Sequence, residues 1–112
     1  MNGSEPVGLA WVVLLGFLRV TTHRAILDPP MPVDVACGFV RSWLENPIVS
    51  IVSPGPGHAE ALFRLLAHVG TAGNLTTDAH LAALAIEYQA HLHSMDADFK
   101  RFPGVRWVNP LD

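Results

Sequence analysis

GNLTTDAHLAALAIEYQAHLHSMDADFKRF, Gly73 to Phe102, decides how this chain is read, because it places several carboxylates where chemistry could use them. It reads as a helix, a short strand and the start of a second, acidic helix. Asn74, Thr76, Thr77 and Asp78 crowd the beginning of the helical run Leu75 to Gln89, with Leu81, Leu84, Ala85 and either Ile86 or Tyr88 available for its buried side. His91 to Met95 is short enough to be a strand. A helix descending from Asp78 to Gln89 at ~1.5 Å per residue and a strand climbing from His91 to Asp96 at ~3.3 Å per residue are each roughly 16 Å long. Asp78 and Asp96 are therefore expected at the same edge of the layer.

Asp98 lies two positions beyond Asp96, in the turn that opens the next short helix, where free backbone N–H groups help hold carboxylates together. The nearest cationic side chains in sequence come only at Lys100 and Arg101. Hard oxygen ligands gathered this way suit Mg2+ or Mn2+, ions that stabilise charge developing on a phosphoryl group. Periodicity alone leaves the plainer alternative open, in which Asp78 is an ordinary first-turn carboxylate and SMDADF an ordinary capped turn.

Four pieces together resemble a PIN domain of the VapC type, the toxin subunit of bacterial type II toxin–antitoxin pairs. They are GFLR with the two threonines after it at Gly16 to Thr22, GNLTTDAHLAALA at Gly73 to Ala85, SMDADFKRFPGV at Ser94 to Val105, and the closing W-x-N-P-L at Trp107 to Leu111. They run in order over nearly the whole chain, and the D-x-D-F piece alone would be weak. The resemblance implies an α/β fold, a PIN-like three-layer sandwich with a mostly parallel sheet, and a metal-dependent endoribonuclease. It also implies catalytic and metal-binding roles for Asp78, Asp96 and Asp98, a cognate antitoxin, a homodimer and a cytoplasmic setting. PIN domains begin with a hydrophobic strand ending in an aspartate, followed by a helix, and nothing before Gly8 matches that unit. Residues 1–112 are thus expected to form a single, N-terminally truncated PIN-like domain with weakened cleavage. The alternative function is an inactive remnant that binds an antitoxin or partner chain. Gly16 stands where many PIN domains have a glutamate, a substitution shared by relatives with GFLR.

Composition agrees with one small domain: 112 residues, half of them hydrophobic, can form one core. A formal net charge of −3 argues against a broadly basic nucleic-acid surface, so attraction for RNA must be local or assisted by the metal. One cysteine, Cys37, excludes a disulfide framework and a thiolate cluster, and suits a reducing compartment.

Pro6 to Ala10 is a candidate strand. WVVLLGFLRV, Trp11 to Val20, falls well short of the roughly 20 apolar residues of a membrane span and lacks the flanks of a signal peptide. Its β-branched Val12 and Val13 make a strand competitive, and the resemblance settles it as a helix. Arg19 at its end is a candidate contact for phosphate or an antitoxin carboxylate, against the alternative of a solvated helix terminus. The proline-rich loop from Thr21 to Pro32 carries His23 and Arg24, candidate RNA contacts or ordinary solvated side chains.

Val33 to Glu45 is an amphipathic helix with Val35, Ala36, Phe39, Val40, Trp43 and Leu44 spaced for burial. Ile48 to Val52 reads as a short parallel strand. SPGPGH, Ser53 to His58, is a turn without the lysine and spacing of a phosphate loop. The helix His58 to Val69 places Leu62, Phe63, Leu65, Leu66 and Val69 inside, and Gly70 ends it. The histidines do not assemble into a zinc set, because His80 points roughly 160° to 200° away from Asp78 around the helix. His58 and His68 suggest no shared role. Ser94 shares a strand face with Asp96 and is a candidate hydrogen-bond partner for a metal ligand or water at the substrate site.

Overall fold

The computed structural model describes residues 6–70, 72–94 and 96–109; the polar start, position 95 of the expected strand and positions 110–111 of the closing motif lie outside the described residues, as does the side chain of residue 74. The chain divides into two compact units, Met1–Val52 and Ser53–Asp112.

In the first unit β1 (Val7–Leu9) is followed by α1 (Trp11–Thr21), α2 (Val33–Glu45) and β2 (Val49–Ile51). β1 and β2 pair in parallel, Val7 opposite Val49 and Leu9 opposite Ile51, which the two intervening helices make possible. Gly8 permits this closeness, since a Cβ there would sit 2.8 Å from Val52 Cγ1. The helical reading of the β-branched run at Val12 and Val13 holds. It ends where the hydroxyls of Thr21 and Thr22 turn back onto the carbonyls of Phe17 and Leu18, at 2.8 and 2.6 Å. The Asn46 side chain accepts the Ile48 N–H at 3.1 Å, forming the turn from α2 into β2. Leu14, Ala36 and Val40 are buried, and Phe17 meets Trp43 edge-on with ring centroids 4.8 Å apart. Val35, Phe39 and Leu44, expected inside, are exposed. With two strands and two helices in this unit, the expected stripe on α2 is wider than the surface covering it.

The second unit runs α3 (His58–Val69), a 3-10 turn Gly73–Leu75, α4 (Thr76–Glu87), β3 (His91–His93), a second 3-10 turn Ala97–Arg101 and β4 (Arg106–Val108). Its core joins α3 and α4 to the second turn through Ala61, Leu65, Leu75, Ala79, Ala82, Ala83, Phe99 and Phe102. The inward face of α4 is thus centred on alanines rather than on Leu81. Tyr88 is half exposed, with its hydroxyl hydrogen-bonded to the backbone of Ser53. Phe63, expected inside, is exposed. β3 and β4 pair in parallel, His91 opposite Arg106 and His93 opposite Val108. The closing motif therefore contributes a strand that its short, irregular pattern did not announce.

Candidate metal centre

Asp78 stands in the first turn of α4, where backbone N–H groups without helical partners and the positive end of the helix dipole favour a carboxylate. Asp96 follows β3 and caps the turn that carries Asp98, accepting the Asp98 N–H on Oδ1 at 2.9 Å. Ser94 Oγ accepts the Asp96 N–H at 3.1 Å, so the serine orders the approach to the first acid of the turn.

One oxygen from each of Asp78, Asp96 and Asp98 lies within 4.8 Å of the others. Burial, followed by the charges of Asp96 and Asp98, holds the Asp78 carboxyl above its usual range. Among the described residues, no lysine or arginine forms an ion pair with these acids. Three mutually repelling carboxylates with only hard oxygens to offer fit a small divalent cation, whose charge would relieve that repulsion.

The other candidate contacts belong to the first unit. Arg19 is exposed in the last turn of α1, and His23 and Arg24 are exposed in the loop beyond it, all in the first unit. His23 Nδ1 accepts the Ala25 N–H at 3.1 Å.

Sequence reasoning missed a polar cluster between α3 and α4. His58 is buried, with Nδ1 3.1 Å from Glu87 Oε1 and Nε2 2.9 Å from His80 Nδ1. The other Glu87 oxygen accepts the Gly55 N–H at 2.8 Å, so the SPGPGH turn spends this N–H on a carboxylate of its own chain. No local motif could reveal partners 29 residues apart, although the helical position of His80, away from Asp78, places it on the side that faces α3.

The family model for the PIN domain matches residues 4–105, across both units. The chain belongs to the PIN domain family. This PIN domain is 44% identical over 111 residues to Ribonuclease VapC33 of Mycobacterium tuberculosis, covering 99% of this chain and 78% of the relative. It is 46% identical over 110 residues to Ribonuclease VapC37 of the same organism, covering 98% of this chain and 76% of the relative. The crystal structure of VapBC2 from Rickettsia felis, bound to a DNA fragment from their promoter, has the same fold: the TM-score is 0.69 at 18% identity, covering 95% of this chain and 76% of that one. The α/β class and parallel pairing expected from the sequence agree with this fold.

Proposed function

We propose that this PIN domain is the toxin of a type II toxin–antitoxin pair, an endoribonuclease that hydrolyses RNA phosphodiester bonds with Mg2+ or Mn2+ at Asp78, Asp96 and Asp98. The observation that carries this reading is the gathering of three carboxylate oxygens within 4.8 Å, in a chain 44% identical to a ribonuclease. A divalent cation, when bound, would supply charge neutralisation at the phosphodiester and a bound water more acidic than bulk water. The chain's own residues supply the cradle. Asp98 N–H fixes one oxygen of Asp96, and Ser94 Oγ fixes the backbone of Asp96. Because the net charge is −3, RNA must be drawn in by the cation and by local contacts, for which Arg19, His23 and Arg24 are the candidates.

The partner is a cognate antitoxin, and the setting is the cytoplasm. Cys37 is a free thiol, which suits a reducing compartment, and among the described residues no helix is long and apolar enough to cross a membrane. The decisive assay offers single-stranded RNA with Mg2+ or Mn2+ to the wild-type chain and to Asp96→Ala. Cleavage should stop with EDTA and fall at least about 100-fold in the variant. Cleavage that survives both treatments would reject the proposed centre.

A further inference from the structure

One side chain holds the acidic turn from both sides. The indole Nε1–H of Trp107, on β4, donates to the Ser94 carbonyl at 2.8 Å. The face of the same ring lies 5.1 Å from Lys100 Nζ, within the range of a cation–π contact. Ser94 and Lys100 bracket Asp96 and Asp98 in the chain. Ser94 is further tied to β4 by its own N–H, which donates to the Val108 carbonyl at 3.0 Å. Its Oγ then accepts from Asp96 N–H, and Asp96 Oδ1 from Asp98 N–H. A run of polar contacts thus leads from the indole to the Asp96 carboxylate and the Asp98 backbone.

We propose that Trp107 is a positioning residue for the metal centre: by gripping Ser94 through its N–H and Lys100 through its ring, it sets the turn so that Asp96 and Asp98 face Asp78. The inference rests on the reading that these three acids hold a divalent cation. Trp107 also packs against the hydrophobic cluster of its unit, a task its ring performs without any donor. The N–H on Ser94 is what packing alone does not require. Trp107→Phe keeps an aromatic face for Lys100 and for the core while removing that donor, so it separates the two roles. Groups that orient metal ligands contribute about 10-fold to 100-fold to metal affinity when they are intact.

The test measures Mn2+ binding from the electron paramagnetic resonance of the free ion, for wild type, Trp107→Phe and Asp96→Asn, with thermal melts of the metal-free proteins alongside. Trp107→Phe should bind Mn2+ about 10-fold to 100-fold more weakly and Asp96→Asn should lose binding. In 15N-labelled wild type, the Trp107 indole resonance should move and saturate with Mg2+. A Trp107→Phe protein that melts earlier but binds Mn2+ as tightly as wild type would show that the ring only packs, and would overturn the inference. If that variant does not fold, the wild-type titration decides, and a Trp107 resonance unmoved at saturating Mg2+ would overturn the inference equally. A wild-type chain that takes up no Mn2+ would instead reject the metal centre itself, and the positioning role with it.

Discussion

Glu87 stands at the end of α4 with both carboxylate oxygens committed, one to the Gly55 N–H and one to His58 Nδ1. That arrangement assigns the His58 proton to Nδ1, so Nε2 accepts from His80 Nδ1–H and the three side chains form one directed line. Glu87→Ala leaves two donors without their acceptor in a partly buried place. It should cost about 1.5–3 kcal/mol, read as a lower urea midpoint. Burial, and then the neighbouring His58, hold His80 below the usual histidine range. The unfolded chain takes up this proton near pH ~6.5, while the folded chain resists until lower pH. Below that point the unfolded state binds more protons, so this contribution is intact above pH ~6.5 and is lost as pH falls through the depressed folded value. Melting temperature should therefore drop more steeply on mild acidification in wild type than in His80→Gln. Equal slopes would show that His80 does not carry the linkage.

At the scale of elements, the two helix ends in the second unit solve the same problem with different residues. α3 ends on Gly70 at φ 76°, its N–H bonded to the Leu66 carbonyl at 3.0 Å. α4 ends with Gln89 at φ 53°, and the Ala90 N–H reaches back to the Ala85 carbonyl at 2.9 Å. This is the paired back-bonding of a left-handed helix stop, where glycine carries no Cβ penalty. Gly70→Ala should cost about 1 kcal/mol, and Gln89→Gly should gain about 0.5–1 kcal/mol, both measurable by chemical denaturation. Gly70 was legible as a stop because glycine after an apolar period signals one, whereas Gln89 carries no such mark. The same contrast runs through the rest of the fold. Helices α2 and α3 were legible to the residue because their periods are strong and Pro, Asn and Gly punctuate them. Three-residue β4 was not, since its pairing with β3 comes from tertiary packing rather than local preference. The approach of Asp78 to Asp96 could be anticipated from the equal lengths of a helix and a returning strand. The support from Trp107 could not, because it depends on the register that sets Leu92 opposite Trp107.

For the molecule as a whole, the first unit leaves large apolar side chains in water. Trp11 is 50% exposed, Leu15 57%, Val33 65% and Phe39 46%. Such surface favours association with a second copy or a partner chain. Light scattering at low micromolar concentration should therefore report a dimer, or a complex when the antitoxin is present. Leu15→Glu should shift the free chain towards monomer. A wild-type protein that stays a well-folded monomer across this range would contradict the expectation.

The alanine face of α4 has a consequence for how this gene can drift. Ala79, Ala82 and Ala83 have no exposed surface, and one base change in an alanine codon leads only to glycine, valine, proline, serine, threonine or an acidic residue. Glycine loosens the helix, proline breaks it, and the polar residues bury a group that must find a partner. Valine overfills the contact, at about 1–3 kcal/mol. In a library of single-base variants selected for folded protein, these three codons should be among the most depleted, although none of their side chains carries any chemistry.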